Sequence, residues 1–242
     1  TGVDRSDIVK ELRGLGFQGL ILMDAAQLVA HKKINVKELE VDGLVFSGHK
    51  IGAPMGVGVV YLRYDLMKKL KPLNYGGEMV ESVKLVEGGV KMGFAPGSSK
   101  FEGGTLNMGA IAGLSATEEF WLEHSEIYGV ETGLTEKIRE ELEKDENIEL
   151  YFAENGIISF NVKGVHAHDT AQVLADFGVM VRAGMMCAEP FLTEKKIGAV
   201  VRASLAFYNT NKDVKYFLAC LRRVRGVMGL EEWSTGEECW RK

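Results

Sequence analysis

The sequence predicts a mixed α/β protein made of two units. Its first third contains three short apolar runs separated by glycine turns, at residues 20–23, 44–46 and 58–62. Runs of this length are typical of strands that are buried on both faces of a sheet. Farther along, apolar residues recur at helical spacing, and the chain then alternates strand-like and helix-like segments. We therefore expect a three-layer α/β part over residues 1–120 and a smaller α+β part over residues 121–242.

Polar residues stand where the apolar runs of the first unit end. Asp24 follows the first run and Ser47 follows the second, with a short helical or loop connection expected over residues 34–39. Open parallel sheets bind ligands at the carboxyl ends of their strands, so we expect a ligand at this edge.

The rest of the chain is expected to be helical near the boundary and mixed beyond it. Helices are predicted at residues 107–124, 127–142, 169–177 and 214–224, and strands at residues 157–162, 179–181 and 200–201. Thr210 followed by Asp213 resembles a capping box before the last helix. Gly229 is expected to end that helix.

Composition and charge argue against several classes of function. The net charge of −5 argues against a nucleic-acid-binding surface. No apolar run approaches the length of a membrane span, and we expect no signal peptide and a cytoplasmic protein without a membrane partner. The three cysteines are far apart and odd in number, which is typical of reduced thiols. Cys220 is expected to pack inside the last helix and Cys239 to be an incidental residue of the tail.

The first candidate for chemistry is the segment Ser47-Gly48-His49-Lys50. It follows an apolar strand and precedes a turn rich in glycine and proline. A lysine at the end of a buried strand is costly unless it has a function, and forming a Schiff base is one such function. Ser47 and His49 are donors suited to a phosphate. Taken alone, the segment is also compatible with the alternative that Lys50 is a solvent-exposed residue of a turn without a chemical role.

The second candidate is Asp24, with Gln27 three residues later. A carboxylate at a strand end could pair with a protonated pyridine nitrogen, which makes a cofactor ring an electron sink. Gln27 could reach the ring hydroxyl. The alternative is that Asp24 only caps the next helix. The spacing between Asp24 and Lys50 favours the cofactor.

Together these segments resemble class V of the fold type I pyridoxal-phosphate enzymes. The resemblance continues through Phe101-Glu102-Gly103-Gly104-Thr105, then Val181-Arg182-Ala183-Gly184 with Cys187-Ala188, then Val201-Arg202-Ala203-Ser204 with Tyr208-Asn209-Thr210. This ordered set is similar to the cysteine desulfurases of the SUF type. It implies the C-terminal part of the large, three-layer domain of the type I fold, followed by a small domain that carries the catalytic cysteine loop.

The resemblance also implies a role for each residue of a cofactor site. The implied roles are Lys50 for the Schiff base and proton transfer to pyridoxal 5′-phosphate adducts, Asp24 for the pyridine nitrogen, Gln27 for the ring hydroxyl, and Ser47 and His49 for the phosphate. Thr105 would reach the phosphate of the neighbouring subunit, which implies a homodimer.

Three further residues would handle the substrate. Arg202 would pair with the substrate carboxylate, a bidentate task that suits arginine, and Arg182 would line the same pocket. Cys187 would attack the substrate sulfur and become a persulfide. The short separation of the two arginines puts Cys187 on a short loop, which favours the SUF-type branch. The alternative, a cysteine buried as a hydrophobe, is disfavoured by its place between Gly184 and Pro190.

The implied reaction converts L-cysteine to L-alanine and passes sulfur to an acceptor or iron–sulfur scaffold protein. Two alternatives stay open: a selenocysteine lyase, and an incomplete chain or subunit of a split enzyme that is inactive on its own. His166, His168 and Asp169 are expected to cap a helix and not to bind a metal.

The sequence departs from the family in three places. The family's N-terminal half has no counterpart, so we expect it to be a separate chain, a cleaved part or a disordered segment. Met185 and Met186 stand where the family often has histidines. We therefore expect the cofactor adduct, Arg182 or the missing half to favour the thiolate of Cys187. Residues 96–100 form a longer stretch than in the family.

Overall fold

The computed structural model describes residues 6–230, which divide into two units at residues 125 and 126. The first unit begins with α1 (Ser6–Gly14), β1 (Leu22–Asp24), α2 (Val36–Leu39), β2 (Gly43–Ser47) and β3 (Gly58–Leu62). β1 and β2 are parallel and β3 is antiparallel to β2, so the strand order is β1-β2-β3. The three predicted strands and the short helical connection between the first two are confirmed.

The two faces of this sheet differ in burial. The core on one face consists of Val9, Ala25, Val41 and Leu44. Leu22, Val45 and Val60 share the opposite face and are 70%, 42% and 67% exposed. The prediction of strands buried on both faces is therefore wrong for the described part of the chain. The opposite face is exposed because α1 and α2 supply apolar side chains only to the face that carries Leu44.

A β-hairpin follows the sheet and has one apolar face. After α3 (Tyr64–Lys69), strands β4 (Val80–Val86) and β5 (Gly89–Phe94) pair in antiparallel register. The cross-strand pairs Val83–Met92 and Leu85–Val90 lie on one face, and Lys84–Lys91 lies on the other. The four apolar side chains are between 44% and 88% exposed. An amphipathic hairpin of this size is marginally stable unless its apolar face is covered.

The base of the hairpin packs closely on the turn that precedes Thr105. Met79 is 1% exposed, and its main-chain carbonyl accepts a 2.8 Å hydrogen bond from the amide of Ala95. Gly104 donates to the carbonyl of Gly77 at 2.9 Å. A Cβ on Gly76 would lie 2.8 Å from the main-chain carbonyl carbon of Gly103, so this approach requires glycine at residue 76. The hairpin base and the Thr105 turn are therefore packed against each other.

The stretch at residues 96–100 leads into a short 3₁₀ turn, Gly97–Phe101. Lys100 is only 9% exposed, and its Nζ donates to the carbonyl of Leu70, just after α3, at 2.8 Å. A cation at this position offsets the partial negative charge at the end of the helix. The unit ends with α4 (Met108–Glu123), where a helix was predicted.

The second unit is a four-stranded antiparallel sheet packed with helices. Its elements are α5 (Val130–Lys144), β6 (Ile148–Glu154), β7 (Ile157–Val162), α6 (Ala167–Asp176), β8 (Arg182–Gly184), α7 (Glu189–Glu194), β9 (Val200–Ser204), α8 (Asn211–Leu221) and α9 (Val224–Val227). The strand order is β6-β7-β9-β8. Phe160, Leu174, Val201 and Cys220 are fully buried between the sheet and the helices. Burial of each such apolar side chain stabilises the fold by about 1.5–3 kcal/mol.

Most predictions for the second unit are confirmed, and two differ. The strand at residues 157–162 and the capping box of Thr210 with Asp213 are present. The strand predicted at residues 179–181 is wrong, because the amide of Val179 bonds to the carbonyl of Leu174 and completes the end of α6. The predicted last helix is divided into α8 and α9. Cys239 lies outside the described residues.

Candidate active site

Four candidate residues lie at one edge of the first sheet. Asp24 ends β1 and Ser47 ends β2, and the parallel pairing of these strands brings both ends to the same side. The 3₁₀ turn Gly48–Ile51 then carries His49 and Lys50, both exposed. This is the edge at which the sequence predicts a ligand.

The turn that presents Lys50 is held by main-chain contacts. The amide of Gly48 donates to the carbonyl of Val57 at 2.9 Å, and Ala53 donates back to the carbonyl of Gly48 at 3.1 Å. A Cβ on Gly48 would lie 3.0 Å from the carbonyl oxygen of Val57, so a larger residue would be tightly crowded there. The indole Nε1 of Trp121 donates to the carbonyl of Ile51 at 2.9 Å. Lys50 therefore projects from a fixed backbone.

Ser47 and His49 form a polar pair beside Lys50. The Oγ of Ser47 is 2.8 Å from the Nδ1 of His49. When the hydroxyl donates to Nδ1, the imidazole carries its proton on Nε2, where it can donate to an external anion. This arrangement suits a phosphate.

Asp24 stabilises a turn and does not cap the next helix. Its Oδ1 accepts a 2.9 Å hydrogen bond from the amide of Ala26. The next 3₁₀ helix, Leu28–Ala30, begins at Gln27 without a side-chain cap, and α2 is capped by Asn35. The capping alternative for Asp24 is therefore wrong. Gln27 lies between the Asp24 turn and a 3₁₀ helix that packs on the Lys50 turn.

A second cluster lies on β8 and β9 in the other unit. Arg182 and Arg202 are directly opposite each other in the antiparallel register, where like charges are destabilising. Among the described residues the Nε of Arg202 is buried without a hydrogen-bond partner. Burial lowers the pKa of Arg202, the charge of Arg182 lowers it further, and Cys187 acts in the opposite direction. Two cations and a buried, unpaired N–H group are what a carboxylate ligand would satisfy.

Cys187 lies on the linker of residues 185–188 that joins β8 to α7. It is exposed and its sulfur is free, so the alternative of a buried hydrophobe is wrong. Its φ is 59° and that of Met186 is 54°, both in the left-handed region that non-glycine residues seldom adopt. Cys220, by contrast, is completely buried in α8, as predicted.

Thr105 and the histidines lie elsewhere. Thr105 is exposed and follows Gly104, whose φ is 85°, on the turn beside the hairpin base. The ring of His166 caps α6 by accepting from the amide of His168, as predicted.

Within residues 6–230, no group of His, Cys, Asp and Glu side chains could hold a metal ion. No helix in that range is long and apolar enough to cross a membrane.

An open groove beside α7, with a volume of about 750 Å³, was not predicted from the sequence. Its lining residues are Glu149, Leu150, Tyr151, Asn161, Phe191, Lys195, Lys196, Ile197 and Gly198. The hydroxyl of Tyr151 donates to Glu149 at 2.7 Å; burial, this bond and the charge of Glu149 together raise the pKa of Tyr151 to about 12. Alternation of apolar residues along β6 was the signal that could have found this wall.

Comparison with known proteins identifies the family. Residues 4–217 match the class-V aminotransferase family. The chain is 36% identical over 213 residues to cysteine desulfurases of Shigella flexneri and Escherichia coli, with 86% of this chain and 52% of each relative covered. It therefore spans about half the length of these curated relatives.

Solved structures of cysteine desulfurases have the same architecture as this chain. The crystal structure of the cysteine desulfurase CsdA (S-sulfonic acid) from Escherichia coli superposes with a TM-score of 0.81 at 29% identity, over 93% of this chain and 55% of that one. The apo cysteine desulfurase from Thermococcus onnurineus NA1 gives 0.81 at 34% identity, over 91% and 56%. With a family match over most of its length and this shared architecture, the chain belongs to the class-V aminotransferase family and has the type I fold of pyridoxal-phosphate-dependent transferases.

Proposed function

We propose that the protein is a cysteine desulfurase that converts L-cysteine to L-alanine and keeps the sulfur as a persulfide on Cys187. The observation that carries the proposal is the cluster on β8, β9 and their linker. There the exposed thiol of Cys187 interacts electrostatically with Arg202, and Arg182 lies directly opposite Arg202 on the neighbouring strand. The similarity to curated cysteine desulfurases supports the same reaction.

The residues at the sheet edge of the first unit fit pyridoxal 5′-phosphate, the coenzyme that the family implies. The fit rests on the chemistry of the groups that share this edge: an exposed amine, a carboxylate, and a hydroxyl paired with an imidazole. We assign Lys50 to the covalent attachment, Asp24 to the pyridine nitrogen, Gln27 to the ring hydroxyl, and Ser47 and His49 to the phosphate. When bound, the coenzyme supplies an electron sink for bonds at the substrate carbon atoms.

The arginine pair would bind the substrate carboxylate. Arg202 offers a buried Nε–H without a protein partner, and Arg182 adds a second positive charge directly opposite. A carboxylate between them would remove the repulsion and satisfy the buried donor. Hydrogen bonds to charged groups contribute about 1.5–3 kcal/mol each, so this pair would position the substrate as well as bind it.

Cys187 would then take the sulfur. Its thiolate attacks the thiol sulfur of the substrate, an S–S bond forms, and the C–S bond breaks with its electron pair remaining on the substrate carbon. A proton delivered to that carbon completes alanine, and Lys50 is the base and acid that we assign to proton transfer. Arg202 interacts electrostatically with Cys187, so the thiol lies beside the arginine pair that we assign to the substrate carboxylate.

The length of the cysteine linker supports the SUF-type branch. Only residues 185–188 separate β8 from α7, so Cys187 has a short reach. We propose that an acceptor or iron–sulfur scaffold protein collects the sulfur, because a persulfide on an exposed side chain is accessible to a partner. Since the reaction needs a free thiol, we place it in the reducing cytoplasm.

We also propose a homodimer in which Thr105 contributes to the phosphate site of the neighbouring subunit. The support is the uncovered apolar face of the hairpin, Val83, Leu85, Val90 and Met92, next to the Thr105 turn. Exposed apolar surface of this kind marks interaction sites. Packing of the hairpin on a second copy would bring Thr105 to the subunit boundary.

One alternative is supported by a specific observation. Leu22, Val45 and Val60 form an exposed apolar sheet face, which favours a chain that works together with further polypeptide, as a subunit or part of a larger enzyme. In that case the first unit is the C-terminal part of the large coenzyme-binding domain and the second unit is the small domain. A selenocysteine lyase is the other alternative, with a different dependence on Cys187.

The test is a substitution at Cys187 with a matched control at another cysteine. We expect Cys187→Ala to abolish alanine formation from L-cysteine and Cys239→Ala to leave it unchanged, measured on the full chain with added coenzyme. The yellow absorbance of lysine-bound coenzyme should persist in both variants and be lost in Lys50→Ala.

Other outcomes separate the alternatives. Retained turnover of selenocysteine by Cys187→Ala would favour the lyase. A colourless protein with no alanine formation from any variant would favour a chain that needs further polypeptide. Undiminished desulfuration by Cys187→Ala would contradict the proposal.

A further inference from the structure

The linker that carries Cys187 has one buried side chain between two exposed ones. Met185 is 38% exposed and Cys187 is exposed, whereas Met186 is only 9% exposed. Met186 packs in a small apolar cluster of its own, separate from the main core of the second unit. The other members of this cluster are Leu192, Val200, Tyr151 and Ile197. Met186 is therefore the buried side chain of the linker of residues 185–188.

The backbone at this point is unusual for residues with side chains. Met186 and Cys187 are consecutive residues with φ of 54° and 59°. Left-handed non-glycine residues persist only where the surrounding structure holds them. The amide of Ala188 donates to the carbonyl of Met185 at 2.8 Å and closes a turn around the two residues. This hydrogen bond and the burial of Met186 help to hold the conformation.

The cluster also connects the linker to the strand that carries Arg202. Val200 begins β9, is 2% exposed and is the register partner of Gly184 at the end of β8. Leu192 is the buried residue of α7. Met186 thus packs with residues of both α7 and β9, the helix that follows the linker and the strand that carries Arg202. Cys187, the next residue, interacts electrostatically with Arg202.

We propose that Met186 is a positioning residue for Cys187. Its burial against Leu192 and Val200 holds the linker in the left-handed conformation that keeps the thiol exposed and close to Arg202. Methionine suits this place because its unbranched thioether adapts to an irregular apolar gap. The inference rests on the proposed role of Cys187 as the sulfur acceptor.

The test measures the thiol itself, so it does not depend on desulfurase activity. The rate of alkylation of Cys187 by iodoacetamide is followed by mass spectrometry of the peptide that contains Cys187, at pH values around the free thiol pKa of about 8.5. The full chain is compared with Met186→Ala, Met186→Leu and the matched control Met185→Ala.

We expect Met186→Ala to slow alkylation at neutral pH by about tenfold, less than the ~100-fold that a 1 Å misplacement can cost a reaction. The rate should fall because the linker no longer holds the thiol in its exposed position. Met186→Leu should restore the rate and Met185→Ala should leave it unchanged. In the desulfurase assay, kcat should fall in Met186→Ala with little change in KM.

A second variant covers the case in which Met186→Ala does not fold. Met186→Gly removes the anchor and at the same time relieves the left-handed backbone, so it should fold and still lose the rate. An unchanged alkylation rate in either folded variant would overturn the proposal. Loss of alanine formation in Cys187→Ala is a separate result, so failure of the positioning role and failure of the proposed function are distinguishable.

Discussion

The turn of Lys50 and the linker of Cys187 are held in place by different means. Main-chain hydrogen bonds and the close approach of Gly48 to Val57 fix the backbone below Lys50. The linker of Cys187 depends on the burial of Met186 and on a strained backbone, beside two arginines that repel each other. The first arrangement suits a group that must hold a coenzyme in one orientation. The second suits a nucleophile whose surroundings are completed by the substrate.

The largest expected effect concerns the stability of the first unit, which carries the Lys50 turn. Asp42 is 1% exposed, accepts from the amide of Ile21 at 2.9 Å, and pairs with Arg13 at 2.7 Å and with Arg63. Asp42→Asn should lower the free energy of unfolding by about 3 kcal/mol, because it leaves a buried network without its charge. The measurement is denaturant unfolding of the full chain. Asp65→Asn is the control, since this exposed carboxylate also lies near Arg63.

The same network predicts a pH dependence. Burial works to raise the pKa of Asp42, but the hydrogen bonds from Ile21 and Arg13 and the charges of Arg63 and Arg13 lower it below its ordinary 3.8. A lowered pKa in the folded state means that the contribution is complete above the ordinary value and is lost as the pH falls below it. The stability difference between wild type and Asp42→Asn should therefore shrink on acidification. A constant difference would show that the charge of Asp42 does not matter.

An intermediate effect is expected where the Lys50 turn depends on glycine. Gly48→Ala adds a Cβ 3.0 Å from the carbonyl oxygen and a side-chain methyl of Val57. We expect a loss of about 1–3 kcal/mol in stability and weaker coenzyme binding, measured by unfolding and by absorbance titration. The control Gly14→Ala has open space around it at the end of α1 and should be neutral. Equal effects of both substitutions would show that the turn is no more rigid than a helix end.

The smallest expected effect has opposite signs for stability and function. Arg182→Gln removes one of two like charges that are directly opposite on β8 and β9. Without substrate, the variant should be more stable by about 0.2–1 kcal/mol. Its KM for L-cysteine should rise, because one charged partner of the carboxylate is lost.

Arg139→Gln is the control for this last comparison, because Arg139 lies near Glu136 and Glu143 on α5 and has partners of opposite charge. Arg139→Gln should leave the KM for L-cysteine unchanged and should not increase the stability of the protein. A loss of stability in Arg182→Gln would mean that the pair is not repulsive in the absence of substrate.

The sequence by itself determined the features that depend on neighbours along the chain. The apolar runs ending at Asp24 and Ser47, the capping box of Thr210 with Asp213 and the exposed loop position of Cys187 all follow from short patterns, because strand ends, helix caps and turns are stabilised locally. The hairpin at residues 80–94 was within reach of the same reasoning. Its apolar alternation around Gly88 and Gly89 is a hairpin signal.

Tertiary structure alone decided the rest. The register that sets Arg182 opposite Arg202, the burial of Met186 against Val200, and the uncovered face with Leu22 and Val60 all depend on pairing and packing between distant segments. A one-residue change of register would turn either arginine to the other face of the sheet. Local patterns do not specify such contacts, because register and burial are set by whichever distant partner packs against each face.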